Sequence, residues 1–237
     1  MQTSILPEST CFWFSVYNES ARLVARLASQ IRNLYPCNQI ICVSDGSRNL
    51  EVGSICKVYN TQYLETKQRL HAQRFGGAWV KRMFDSFLEN STAEYLLRIE
   101  PDTFLRSPFQ AVPKCDVTGN VLAIDDQRSY IHGGCVLFSR EAVKKIVESG
   151  LLSDSKYAEN VEFGYRKYQP PYLLEGEQPS WELHGAQDVI FSDVVARLKL
   201  HTENWNEIYS RVRETCPTPE KYAAIHPVKI LDYALNI

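Results

Sequence analysis

Several patterns that would assign a function at once are missing from this chain of 237 residues. No window of about eighteen uninterrupted apolar residues occurs, so we expect no transmembrane helix, and the first residues lack the basic flank and apolar run of a signal peptide. Neither GxGxxG nor GxxxxGK[ST] occurs, which excludes the common dinucleotide oxidoreductases and P-loop enzymes. A formal net charge of -2 gives no long-range field toward nucleic acid, so we expect no nucleic-acid partner.

The cysteines also lack a pairing pattern. There are seven, an odd number, and none forms a CxxC pair. They are Cys11, Cys37, Cys42, Cys56, Cys115, Cys135 and Cys216. Because several of them lie in apolar, strand-like runs, we interpret them as buried reduced thiols of a cytoplasmic protein rather than as a disulfide framework or a zinc site.

The first half of the chain alternates strand and helix patterns. Apolar, β-rich runs at 11–18, 39–47 and 94–105 predict strands, the last of them broken by Pro101 near its end. A short strand is predicted near 57–60. Between them, apolar residues at three-to-four spacing predict helices over about 20–35 and 79–89. This alternation indicates the α/β class, with a mainly parallel central sheet covered by helices on both faces.

The second half is less regular. Strands are predicted at 117–125 and 133–139, and helices at 140–150, 185–200 and 204–214. The stretch 157–181 is rich in Tyr, Pro and Glu without periodicity, so we interpret it as a long functional loop or as a flap that packs on the domain. The segment 223–235 is expected to fold back on the core.

Two acids at the end of a predicted strand are the most informative residues. Glu100 and Asp102, in RIEPDTFL, are two positions apart, so in an extended segment their side chains point to the same side. Adjacent carboxylates repel each other unless a cation lies between them, and carboxylate oxygens favour hard ions such as Mg²⁺ or Mn²⁺. Two solvated acids at a strand end are the alternative.

RIEPDTFL resembles the DxD motif of GT-A glycosyltransferases, a family with a Rossmann-like fold. The resemblance implies that Glu100 and Asp102 hold Mn²⁺ or Mg²⁺ on a nucleoside-diphosphate sugar. Here the first acid is Glu rather than Asp and Pro101 lies between the two, which makes Asp102 the firmer ligand.

The segments that follow the first two strands fit the same family in order. SVYNES is similar to the loop that cradles the nucleotide base, which implies base contacts from Tyr17, Asn18 and Glu19. VSDGS resembles the second-strand signature whose acid also contacts the base, here Asp45. Asp-Gly-Ser is equally the chemistry of an ordinary turn.

Two further segments resemble those that border the donor sugar and its diphosphate. GGAWVKRMF implies phosphate contacts from Lys81 or from the nearby Arg74, although each could be a solvated helical cation. IHGGCVLFS is similar to the strand lining the sugar pocket, where Gly133 and Gly134 would let the backbone approach a ligand. A β-bulge would use the same glycines.

The resemblance extends to the C-terminal part of the chain. GAQDVIFSDVV resembles the motif in which inverting members keep their catalytic base, which implies Asp188. An acid that only stabilises the helix N-terminus electrostatically is the alternative. AAIHPVK places His226 where many members complete the metal site, although a lone His in an apolar segment is often a core residue.

Together these segments predict one domain over 1–237, with a nucleotide-binding half over about 1–105 and an acceptor and sugar half over about 106–237. The predicted function is metal-dependent, hexosyltransferase-like and inverting transfer of a sugar from a nucleotide-sugar donor to a glycan or other hydroxyl acceptor. A non-catalytic domain of the same fold is one alternative. A sugar nucleotidyltransferase is the other, although it would need a glycine-rich loop that SVYNES does not supply.

Overall fold

A seven-stranded sheet positions the candidate site. The computed structural model describes residues 3–17, 21–46, 49–70, 72, 75–123, 129–154, 157, 186–210 and 218–226. The strands are β1 (Thr3–Ser4), β2 (Thr10–Val16), β3 (Gln39–Ser44), β4 (Gln62–Glu65), β5 (Tyr95–Ile99), β6 (Phe104–Leu105), β7 (Val112–Pro113), β8 (Val117–Ala123), β9 (Ser129–Ser139), β10 (Thr202–Asn204), β11 (Ile208–Ser210) and β12 (Ala224–His226). The helices are α1 (Ala21–Leu34), α2 (Leu50–Val58), α3 (Gly76–Asn90), α4 (Arg140–Glu148) and α5 (Ala186–Arg197).

The strand order of the large sheet is β10-β8-β9-β5-β2-β3-β4. Strands β2, β3, β4 and β5 pair in parallel, and so do β8 and β10, while β9 runs antiparallel to both of its neighbours. Two small sheets also occur in the described part of the chain: β1 with β7, and β11-β12-β6. The predicted α/β class with a mainly parallel central sheet is therefore confirmed.

Alternation along the buried strands sends side chains into two cores. On β2, Trp13 packs with α3 and α5, whereas Phe12 and Phe14 pack with α1 and α2 on the opposite face. This alternation follows from the two-residue period of a strand. Helices thus cover both faces of the sheet, as predicted.

Some element predictions are wrong. The short strand expected near 57–60 is the end of α2, whose first turn is capped by the Asn49 side chain accepting from Val52 N at 3.0 Å, and the strand follows at Gln62–Glu65. The predicted helix over 204–214 contains β11, which pairs with β12. The strand predicted over 94–105 does break at Pro101, as expected, and its two pieces, β5 and β6, lie in different sheets.

The carboxyl ends of the strands show where a ligand would bind. The carboxyl ends of β2, β3 and β5 meet at one edge of the sheet, which is where ligands bind in open α/β sheets. The small sheet β11-β12-β6 brings His226 to that edge, because β6 follows the turn after β5 and pairs with β12.

Two further observations concern composition. Within the described ranges, Cys11, Cys42, Cys56 and Cys135 are buried, Cys37 is exposed, Cys115 is intermediate, and none of the six forms a disulfide bond. Cys216 lies outside those ranges, as does nearly all of the predicted loop 157–181. None of the described helices has the length and apolar character needed to cross a membrane.

Candidate active site

A cleft of about 410 Å³ opens at the carboxyl edge of the large sheet. Its lining includes Tyr17, Asp45, Arg98, Glu100, Asp102 and Gln187. These side chains come from the ends of β2, β3 and β5 and from the start of α5. Residues that are far apart in the sequence therefore face one concave surface.

The predicted metal ligands lie together beside this cleft. Glu100, Asp102 and His226 each offer one ligand atom, and these atoms lie within 4.8 Å of one another. The turn after β5 brings the two acids together: Glu100 N donates to Gly134 O at 3.0 Å, and Thr103 N donates to Glu100 O at 2.9 Å. His226 is the last residue of β12 and is 5% exposed.

The His226 imidazole bridges the two carboxylates. Its Nε2 lies 3.2 Å from Glu100 Oε2, and its Nδ1 lies 3.2 Å from Asp102 Oδ1. Burial would lower the pKa of His226, but Glu100 and Asp102 outweigh it and the net pKa is raised. Two carboxylates and an imidazole form a donor set that suits Mn²⁺ and related divalent ions, so the residues fit such an ion.

A buried arginine neutralises part of this charge. Arg98, on β5, is 2% exposed, and its Nη2 donates to Glu100 Oε1 at 2.6 Å. Burial alone would raise the pKa of Glu100, but the positive charges of Arg98 and His226 lower it to about 2. The Arg98 guanidinium also lies 5.5 Å from the ring of Trp79. Glu100 is therefore ionised at neutral pH.

Asp188 lies in the first turn of α5, close enough to Arg98 for their charges to interact. Its Oδ2 accepts from Gly133 N at 2.9 Å, while its buried Oδ1 has no hydrogen-bond partner among the described residues. Burial raises the pKa of Asp188 to about 6, and the nearby Arg98 charge opposes that rise. The carboxyl thus titrates closer to neutrality than an ordinary Asp.

Gln187 connects the start of α5 to the cluster of Glu100, Asp102 and His226. Its Nε2 donates to Glu100 Oε1 at 3.1 Å. Its Oε1 is buried and, within the described part of the chain, accepts no hydrogen bond. The first turn of α5 therefore presents two buried acceptor oxygens, from Gln187 and Asp188, near the cleft. A sugar or acceptor hydroxyl is the kind of group that could donate to them.

Gly133 and Gly134, on β9, are needed for close packing of protein side chains. A Cβ atom at Gly133 would overlap the Asp188 carboxylate, and one at Gly134 would overlap the His226 imidazole. The sequence predicted that these glycines let the backbone approach a ligand. In the structure, the space beside them is filled by two of the predicted site residues.

Only some of the predicted nucleotide-binding residues line the cleft in the described part of the chain. Asp45 lines the cleft, and its Oδ1 accepts from Arg82 Nη1 and from Leu70 N, both at 2.8 Å. These bonds anchor the segment before Leu70. The guanidinium of Arg69 in this segment lies over the Tyr17 ring, with 3.2 Å between its Cζ and the ring centroid. Tyr17 and Asp45 thus share one end of the cleft.

The structure does not bring Lys81 to the cleft. Its Nζ pairs with Asp85 Oδ2 at 2.6 Å on the exposed side of α3, where the spacing of four residues places the two side chains together. It is not among the residues that line the cleft. Asn18, Glu19 and Arg74 lie outside the described residues.

Three residues of the site were not predicted from the sequence. Arg98 has a visible signal, because it is the single charge in the apolar run YLLRI, but its partners come from elsewhere in the fold. Gln187 adjoins the predicted Asp188 and carries no signal of its own. Thr103, which is fully buried beside His226, resembles an ordinary strand residue in the sequence.

The architecture and this site define the class of fold, and comparison with solved structures agrees. The galactosyltransferase LgtC, in complex with donor and acceptor sugar analogs, is 10% identical with a TM-score of 0.52, and the match covers 91% of this chain and 86% of that chain. An active site mutant of LgtC matches with the same identity and coverage and a TM-score of 0.53. The chain has the fold of GT-A nucleotide-sugar glycosyltransferases.

Other comparisons add less. The mannosyltransferase PcManGT from Pyrobaculum calidifontis, in complex with GDP-Man and Mn²⁺, is 14% identical with a TM-score of 0.43. That match covers 63% of this chain and only 50% of PcManGT. No protein-family model matches the sequence, and no curated protein matches it.

Proposed function

We propose that this protein is a glycosyltransferase that moves a sugar from a nucleoside-diphosphate sugar to a hydroxyl acceptor with the help of Mn²⁺ or Mg²⁺. The observation that carries the proposal is the cluster of Glu100, Asp102 and His226, whose ligand atoms lie within 4.8 Å of one another beside the cleft. The GT-A fold supports it, because the cluster lies at the sheet edge where ligands bind in such folds.

The three residues would hold the ion through carboxylate oxygens and an imidazole nitrogen. A divalent ion bound there supplies a positive charge that stabilises the departing nucleoside diphosphate. The remaining positive charge comes from the protein: Arg98 neutralises Glu100, so the cluster does not repel a diphosphate as strongly as two free acids would.

The end of the cleft that carries Tyr17, Arg69 and Asp45 suits the nucleoside. An aromatic ring and a guanidinium offer flat faces on which a base can stack. Asp45 holds Arg82 and the backbone of Leu70, so its contribution is to fix the shape of this wall. The donor would then lie along the cleft, with its base at Tyr17 and its diphosphate near Asp102.

Asp188 is the base that we propose for the acceptor hydroxyl. Gly133 N fixes one carboxylate oxygen and leaves the other, Oδ1, without a partner among the described groups. A pKa of about 6 suits a general base, which works best when its pKa lies near the working pH. Proton removal by Asp188 as the hydroxyl attacks the anomeric carbon corresponds to an inverting reaction.

Metal-dependent turnover of a panel of nucleoside-diphosphate sugars tests the proposal. Mn²⁺ should stabilise the protein against heat together with the matching nucleoside diphosphate, and hydrolysis or transfer of the matching donor should require the ion. Asp102→Ala should abolish both effects while leaving the fold intact, because it removes a ligand of the cluster.

Asp85→Ala is the matched control, since Asp85 is a surface acid paired with Lys81 on α3. It should behave as the wild type does. A normal metal response in Asp102→Ala would contradict the assignment of the site. Binding of metal and nucleotide without turnover of any donor would favour a non-catalytic protein of this fold.

A further inference from the structure

Thr103 lies where it can control the hydrogen atom on the His226 ring. Its side chain is fully buried, and its Oγ1 lies 3.1 Å from Gly134 O and 3.3 Å from His226 Nδ1. The backbone of Thr103 is fixed by its N–H, which donates to Glu100 O at 2.9 Å. The hydroxyl is therefore held between a carbonyl oxygen and a ring nitrogen.

The hydrogen bonds of this hydroxyl determine which ring nitrogen carries a hydrogen. A threonine hydroxyl has one hydrogen and two lone pairs. Its hydrogen goes to Gly134 O, which can only accept, so a lone pair faces His226 Nδ1. Asp102 Oδ1, another acceptor, lies 3.2 Å from the same nitrogen. Two acceptors thus face Nδ1, and both require an N–H there.

The other ring nitrogen then has a different role. With the hydrogen on Nδ1, a neutral His226 presents the lone pair of Nε2 toward Glu100 Oε2, 3.2 Å away. Two electron pairs facing each other at this distance repel, and a cation that both of them bind removes the repulsion. The neighbouring His132, whose ring centroid lies 5.4 Å from that of His226, has its Nδ1 in contact with Ser210 Oγ at 2.6 Å.

We propose that Thr103 is a positioning residue that, with Asp102, holds His226 in the form protonated on Nδ1 and so selects Nε2 as the nitrogen that binds the metal beside Glu100. The inference rests on the proposed function, since it specifies how the same metal site is built. Partners that fix the ring form of a metal-binding His commonly tune metal affinity. The inference also places the metal beside Glu100, whereas the sequence predicted Asp102 as the firmer ligand.

Nitrogen-15 NMR of the full chain tests the inference directly. Long-range proton–nitrogen spectra distinguish the two neutral ring forms, and His226→Gln identifies the signals of His226. In chelator, at a pH where His226 is neutral, the wild type should show hydrogen on Nδ1. Added Cd²⁺, a diamagnetic probe for the site, should shift the Nε2 signal.

Variants separate this role from a contribution to packing. Thr103→Val keeps the shape and removes the hydroxyl, so it should mix the two ring forms and weaken Mn²⁺ binding by about 10-fold to 100-fold. Thr103→Ser should restore both properties. Thr118→Val is the matched control: Thr118 is also buried, and its hydroxyl donates to Glu203 O at 2.9 Å, away from the site. It should leave the His226 spectrum unchanged.

The outcomes that overturn the inference differ from those that overturn the proposed function. Hydrogen on Nε2, ligation through Nδ1, or an unchanged His226 spectrum in Thr103→Val would contradict the role of Thr103 even if metal-dependent turnover is normal. A wild-type protein in which Cd²⁺ leaves the His226 signals unaffected, and in which Mn²⁺ supports no turnover, would overturn both.

Discussion

At the scale of single residues, the site depends on buried charges that offset one another. Arg98 contacts Glu100 at 2.6 Å. Its charge also limits the rise in the pKa of Asp188 that burial causes. The two acids nevertheless differ, because Glu100 has a pKa of about 2 and Asp188 a pKa of about 6. One carboxylate stays ionised, as a proposed metal ligand must, and the other is suited to exchange a proton.

Asp188→Asn should change stability in a way that depends on pH. Folding raises the pKa of Asp188 from 3.8 to about 6, so the folded protein favours the protonated acid. Ionised Asp188 therefore costs stability above pH 6, and this cost disappears as the pH falls toward 3.8. In chelator, the Asn variant should be about 1–3 kcal/mol more stable than the wild type near pH 8, and the difference should vanish near pH 4.

Urea unfolding at several pH values measures this difference, with Asp85→Asn as the surface control. Asp188→Asn should also lower kcat by about a hundredfold to ten-thousandfold, with donor binding nearly unchanged, because the Asn side chain lacks a basic oxygen. A pH-independent difference in stability would show that Asp188 is not a buried acid of raised pKa. Near-normal turnover would remove it as the base and favour a retaining mechanism.

At the scale of secondary-structure elements, β9 brings the two parts of the site together. It pairs with β5, which leads into Glu100 and Asp102, and its two glycines lie against the Asp188 carboxylate and the His226 ring. The small sheet that carries His226 is joined to the same turn through β6. The positions of the proposed metal ligands therefore depend on close approach between strands.

Gly134→Ala should damage the metal site more than the fold. The added Cβ would overlap the His226 ring, so β12 must shift, and Mn²⁺ affinity should fall by about tenfold or more. The control is Gly53→Ala in α2, where the new methyl group meets the Tyr63 ring at an ordinary 3.4 Å. That change should leave metal binding intact and stabilise the helix by about 0.5–1 kcal/mol. Calorimetric titration with Mn²⁺ measures the metal affinity of both variants, and urea unfolding measures their stability. Equal Mn²⁺ affinities in the two variants would contradict this packing.

The elements with strong periodicity could be predicted from the sequence. Strands β2 and β3 and helices α1, α3 and α5 lie where the spacing of apolar residues predicts them, because that spacing matches the side chains that each element buries in the core. Strand β11 could not be predicted, since its three residues are stabilised by pairing with β12 rather than by their own pattern. The helix α2 was missed because its nine residues show a weak pattern and its Asn49 cap resembles part of a turn.

The same limit applies to the site. Glu100, Asp102, Asp188 and His226 could be proposed because acids and histidines are visible in the sequence and follow a familiar order. Arg98 acquires its role only in the folded chain, where β9 and α5 lie beside β5. The sequence did not show that Lys81 pairs with Asp85, and so it did not show that Lys81 lies away from the cleft. Contacts between elements, rather than residue types, decide these cases.

At the scale of the whole molecule, one sheet connects the two predicted halves of the chain. Strands from residues 10–99 and from residues 117–204 form a single sheet, and the site lies where the two groups of strands meet. The cleft of about 410 Å³ lies within the range of small-molecule sites. The central claim is that a divalent ion and a nucleoside diphosphate bind together at this edge.

Anomalous diffraction from crystals grown with Mn²⁺ and a nucleoside diphosphate tests that claim most directly. The account predicts one manganese peak among Glu100, Asp102 and His226, with bonds of about 2.0–2.3 Å, and with the diphosphate against the peak. His226→Ala should weaken the peak, whereas His201→Ala, which removes a surface imidazole near Glu203, should not. A manganese peak elsewhere, or none at this cluster when the nucleotide is bound, would contradict the account.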